Sequence, residues 1–126
     1  MSKAPGYEKW PNHRILETRL TQQMAVRIGE TIFANSRDVI RVDEDGHPVR
    51  FYFPRASVRM DLLDRSETTT HCPFKGTATY FSARVGDQTV KDAVWSYEQP
   101  FDEHVTLKDL VAFYEEKVPG LQIEGR

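Results

Sequence analysis

At 126 residues the chain has the length of one domain, enough to bury about two thirds of the surface its unfolded form would expose. Its 17 Lys and Arg against 19 Asp and Glu give a net charge of −2, which argues against a dedicated nucleic-acid binder with a basic face. No apolar run reaches the roughly 18 residues of a membrane span, the opening residues lack a signal-type apolar segment, and the single cysteine forms no internal disulfide, so a cytoplasmic, reducing setting is expected.

Residues 1–18, with Pro5, Gly6 and Pro11 and no periodicity, read as an N-terminal arm draped over a single domain at 19–126, with Trp10 as its anchor. Met24, Val26 and Ile28 then alternate with polar residues, Gly29-Glu30 turns the chain, and Ile32 and Ala34 resume the alternation, a β-hairpin pattern. A second hairpin follows: Val39 to Val42, a turn at Asp45-Gly46, and Val49 to Phe53, ended by Pro54, which has no N–H to donate. The segment from Ser57 to Leu63 loses the alternation and reads as a single helical turn or short 3₁₀ piece. Thr77 to Val85 and Thr89 to Tyr97 flank a turn at Gly86-Asp87 as the third and longest hairpin. Near the end, Leu107, Leu110, Val111 and Tyr114 recur at i, i+3, i+4 and i+7 behind an N-cap at Thr106, predicting a helix that Pro119-Gly120 stops. Leu121 to Glu124 read as a short edge strand. The expected fold is mainly β (α+β): a small antiparallel sheet, curled or closed into a barrel, built from hairpins with one C-terminal helix. Unpaired edge strands leave a homodimer open.

The chemistry-bearing stretch is Thr70-His71-Cys72-Pro73-Phe74-Lys75-Gly76. Cys72 reads as a nucleophile if a neighbour acidifies its thiol, or else as a small inert side chain. His71 reads as a general acid–base group or as a hydrogen-bonding loop tie. As sequence neighbours in an extended chain the two side chains point to opposite faces, which makes His71 a poor direct partner for the thiol. Pro73 stiffens the loop, Gly76 lets backbone approach a ligand, and Lys75 with Arg55 and Arg59 would clamp an anion. Trp95 and Tyr97 share one face of their strand and would stack a ring, or simply fill the core. Asp92 and Asp61 are the carboxylates that would orient the proton-transfer group. The histidines and the cysteine lack the paired spacing of a zinc site, so no metal is assigned, and no cofactor is indicated.

Arg59-Met60-Asp61-Leu62-Leu63, Thr70 to Gly76 and Asp92-Ala93-Val94-Trp95-Ser96-Tyr97, in that order, resemble a small bacterial family of unknown function sometimes catalogued as nucleotidyltransferase-like. The resemblance covers about residues 20 to 120 and implies a compact, mostly antiparallel β fold. It implies nucleotidyl transfer by label alone, because the Gly-Ser element and spaced aspartates of the polymerase-type reaction are absent. Three functional expectations follow. The first is an enzyme-like domain handling a small anion such as a nucleotide, with Arg55, Arg59 and Lys75 on the anion, His71 moving a proton, and Asp61 or Asp92 orienting it. The second is a non-catalytic ligand- or protein-binding module whose groove is lined by Trp95, Tyr97 and Tyr80 or Phe81. The third is thiol chemistry at Cys72.

Overall fold

The period-two alternation at Met24 to Ile28 becomes a strand with every second side chain buried, as the pleat requires. The structure is a computed structural model describing residues 2–126. A four-residue helix, α1 (Gly6–Lys9), precedes ten strands: β1 (Ile15–Leu20), β2 (Met24–Ile28), β3 (Thr31–Ser36), β4 (Val39–Glu44), β5 (Arg50–Phe53), β6 (Leu63–Cys72), β7 (Gly76–Val85), β8 (Gln88–Tyr97), β9 (Val111–Phe113) and β10 (Leu121–Glu124). Short 3₁₀ turns lie at Arg55–Ser57, Met60–Leu62 and Asp102–Leu107. Every strand pairing is antiparallel.

The strands form a seven-stranded sheet in the order β1-β4-β5-β9-β8-β7-β6 and a three-stranded sheet in the order β10-β2-β3. The large sheet does not close into a barrel; β1 and β6 are its edges. One of its faces packs Phe51, Phe53, Phe81, Val94, Val111 and Phe113 against Met24, Val26, Ile28 and Phe33 of the small sheet. That apolar layer is the main source of stability, at about 1.5–3 kcal/mol for each large side chain fully buried. The opposite face carries a second cluster that includes Ile40, Val42, Tyr52, Trp95, Tyr97 and Leu107. Among the described residues no helix is long and apolar enough to cross a membrane.

Three expectations are corrected. The C-terminal helix is absent. Asp109 sits at φ +63°, which breaks a helix after the 3₁₀ turn. Val111–Phe113 instead form β9, bonded to β5 on one side and β8 on the other. A three-residue strand buried on both faces shows no alternation, so a helical spacing matches it by chance. The N-terminal arm ends earlier than Thr18, since Ile15–Leu20 pair with β4. Its anchor is also not Trp10, which is 48% exposed. Ala4 and Gly6 are buried instead, and Tyr7 reaches the protein interior. The stretch before Cys72, given no element from sequence, forms β6, a polar edge strand with a bulge between Arg65 and Thr69. Its cue was the β-branched run Thr68-Thr69-Thr70.

Candidate functional site

On the face of the large sheet turned away from the small one, a cleft of about 320 Å³ opens between β5, β7, β8 and the tight turn joining β6 to β7. Alternation along β8 directs Trp95 and Tyr97 into it, while Val94 packs in the layer between the sheets. Tyr52, Tyr80 and Tyr114 complete an aromatic lining. Tyr114 meets Trp95 edge-on at 5.2 Å between ring centroids, and Tyr52 does so at 6.3 Å, within the range in which such pairs attract. The Trp95 indole N–H donates to the Tyr52 hydroxyl at 3.1 Å.

Two ion pairs border this lining. Lys75 Nζ donates to Glu44 Oε1 at 2.5 Å, and both side chains are nearly buried. Glu44 Oε2 bonds His13 Nε2 at 2.8 Å, with His47 Nε2 at 3.7 Å. Burial alone would push the Glu44 carboxyl pKa up, but Lys75 and His13 outweigh it and hold it below its usual range. Arg50 forks onto both Glu116 oxygens at 2.6 and 2.9 Å and lies over the rings of Trp95 and Tyr114.

The N-terminal segment braces the turn that carries Lys75. The Gly6 N–H donates to the Pro73 carbonyl at 2.9 Å. A Cβ at Gly6 would stand 2.8 Å from the Phe74 ring, so only glycine allows this approach. His13 stacks on Phe74 at 4.1 Å and Tyr7 meets it edge-on at 4.9 Å. Tyr7 in turn shares a 2.7 Å hydrogen bond with buried His104, whose other ring nitrogen bonds Glu17 at 2.7 Å.

Of the residues singled out from sequence, the cleft gathers Cys72, Lys75, Trp95 and Tyr97, with His71 on its rim. The remaining residues lie elsewhere. Pairing of His71 with Thr77 directs its imidazole to the Thr77 hydroxyl, on the opposite side of the hairpin from the Cys72 thiol. The thiol sulfur accepts the Lys75 backbone N–H at 3.4 Å. Arg55 bonds Ser96 and Glu98 and lies over Phe81, on the far face of the sheet from Trp95. Glu98 is thereby held down at about 2, first by hydrogen bonds from Arg65 and then, against the pull of burial, by Arg55. Arg59 forks onto its near neighbour Asp61 at the surface. Asp92 sits at φ +53° in a β8 bulge and accepts hydrogen bonds from Ser66 at 2.6 Å and Thr68 at 2.7 Å. Its role is to tie β6 to β8. Gly76, at φ +119°, serves a packing need: a Cβ there would stand 3.2 Å from the Gln99 carbonyl. The anion clamp of Arg55, Arg59 and Lys75 therefore does not form, because the three cations lie apart and each is already paired.

Sequence reasoning missed Glu44, Arg50, Tyr52 and Tyr114. Arg50 and Tyr52 alternate on one face of β5, which a strict period-two reading could have flagged. Glu44 carried no such signal, since it meets Lys75 only through the sheet, 31 positions away. Among the described residues no group of three or more His, Cys, Asp or Glu is arranged to hold a metal ion. A search of curated proteins finds no match. Residues 16–124 do match a family described as a domain of unknown function, DUF427, under the name NTP_transf_9, in agreement with the resemblance read from the motif block; the chain belongs to that family.

Proposed function

We propose that this domain is a binding module for a small ring-bearing molecule, held in the aromatic cleft of the large sheet. The observation that carries the reading is the convergence of Tyr52, Tyr80, Trp95, Tyr97 and Tyr114 on one open cavity. A purely structural aromatic cluster would close on itself. This one leaves about 320 Å³ free, near the lower end of small-molecule sites. Arg50 over Trp95 and Tyr114 fixes two of the rings, which lowers the entropy a ligand must overcome.

Binding is favoured over catalysis. Among the described residues no histidine hydrogen-bonds the Cys72 sulfur, whose partner is the Lys75 backbone N–H, so the nucleophile–base contact that covalent chemistry needs is missing. Asp61, Asp64 and Asp92 are not among the cleft's lining residues, and the carboxylates that border it, Glu44 and Glu116, are each held by a cation, which leaves the nucleotidyltransferase label without a free carboxylate pair beside the cavity. Lys75 is neutralised by Glu44 and Arg50 by Glu116, so a phosphate would find no unpaired cation of the Lys or Arg kind there. The nucleotide idea survives only in its ring portion.

The test uses Trp95 as the reporter. The chain has two tryptophans, and Trp10→Phe removes the exposed one. Titration of that variant with adenine, uracil, nicotinamide, tryptamine and uridine 5′-monophosphate should show saturable quenching by at least one compound. Tyr114→Ala should weaken that binding at least fivefold, while His71→Ala leaves it unchanged. Absence of quenching by all five compounds would sink the proposal.

A further inference from the structure

The chemistry of the ligand can be narrowed from what the cleft leaves unpaired; this step rests on the binding reading above. Its charged side chains already have partners: Lys75 with Glu44, Arg50 with Glu116, and His47 within 3.7 Å of Glu44. The Cys72 sulfur is occupied as an acceptor by the Lys75 N–H. The Tyr80 hydroxyl shares its bond with Thr70 at 3.1 Å.

Tyr97 differs from these. It is only 6% exposed, yet its hydroxyl bonds no protein atom among the described residues. Among the described residues the one fully enclosed side-chain nitrogen or oxygen without a partner is Asp102 Oδ1, so the Tyr97 hydroxyl is not sealed away, and Tyr97 lines the cleft. A hydroxyl with no protein partner that borders a cleft is free to donate to an acceptor on a bound molecule. Tyr52 adds a second donor. Its oxygen accepts the Trp95 N–H, which leaves its own proton free, and the side chain is otherwise fully buried. The two phenols are close enough that charge on Tyr52 would raise the pKa of Tyr97. Burial is the largest effect on each and pushes both well above the usual phenol range, so both stay protonated donors.

We propose that the cleft accepts an uncharged, flat ring bearing a carbonyl oxygen, with the ring packed against the aromatic lining beside Trp95 and the oxygen taking the Tyr97 hydroxyl proton, seconded by Tyr52. A carboxylate or phosphate is disfavoured in this place because no unpaired Lys or Arg compensates its desolvation. A ring without an acceptor makes no use of the Tyr97 hydroxyl proton and, once bound, shuts it off from solvent. A cationic ring gains nothing from two donors.

Uracil and nicotinamide are the probes, adenine and tryptamine the ring compounds without a carbonyl, and binding is followed by ligand-observed NMR and Trp95 quenching. Uracil or nicotinamide should bind, and Tyr97→Phe should weaken it about five- to tenfold, the value of one lost hydrogen bond. Because the native hydroxyl has no protein partner, Tyr97→Phe should keep the wild-type melting temperature, so a loss of binding reports on the ligand contact. Uridine 5′-monophosphate should bind no better than uridine. Unchanged affinity in Tyr97→Phe would overturn this inference and leave the cleft reading intact. So would binding of adenine or tryptamine in preference to the carbonyl rings, or a tenfold gain from the phosphate. Failure of every ring compound would remove both.

Discussion

Lys75→Met isolates the interaction on which one end of the cleft depends. Methionine keeps most of the lysine stem and its place near the Tyr97 ring while deleting the charge. Glu44, with its side chain 5% exposed, then retains only the His13 bond and the weaker His47 approach. Removing one member of a buried ion pair costs about 3–5 kcal/mol, and the surviving histidine contact sets the expectation at about 3 kcal/mol, or a fall of about 10 °C in melting temperature. The pH dependence supplies the sharper check. In the native protein the Glu44 pKa is lowered, so the folded state binds fewer protons than the unfolded one. Its contribution is present above the unfolded carboxyl pKa and is lost as pH falls through the folded value. Without Lys75, burial dominates and the folded pKa rises. The folded state then binds more protons, and stability from this group declines as pH increases toward neutrality. Urea unfolding followed by fluorescence between pH 4 and 8 should therefore show opposite contributions from this group in the two proteins. A loss below about 1 kcal/mol at pH 7, with the same pH slope as the native chain, would refute the assignment of Glu44 and Lys75 as a coupled buried pair. Glu44→Met combined with Lys75→Met should recover much of the loss, since matched apolar replacement of a buried pair is often close to neutral.

The other expectations concern the supports of the site. Gly6→Ala drives a methyl group to within 2.8 Å of the Phe74 ring and 2.9 Å of the Pro73 carbonyl, and overpacking of this kind should lower stability by about 1–3 kcal/mol in calorimetry. Asp92→Ala removes the acceptor for the Ser66 and Thr68 hydroxyls and puts alanine at a positive φ. A loss of about 2–3 kcal/mol with unchanged ligand affinity is expected by denaturant titration and Trp95 quenching; weakened binding at full stability would instead return Asp92 to the site.

The three hairpins, the turn glycines and the edge strand at Leu121 to Glu124 were legible because each depends on neighbours in sequence: alternation follows from the pleat, and the turns from backbone freedom at Gly29, Gly46 and Gly86. The aromatic face of β8 was legible for the same reason. The Val111 to Phe113 segment was not. Its strand state comes from hydrogen bonds to β5 and β8, far away in the chain, and local spacing favoured a helix. Clustering of Cys72, Lys75, Trp95 and Tyr97 follows from adjacent strands and could be anticipated, whereas the fate of the charges could not. Which cation meets which carboxylate is set by sheet order, and that order paired Lys75 with Glu44, Arg55 with Glu98 and Arg50 with Glu116. The residue types fixed what chemistry was available along each strand; only the stacking of strands from distant parts of the chain decided which groups cancelled one another and which, like the Tyr97 hydroxyl, were left without a protein partner among the described residues.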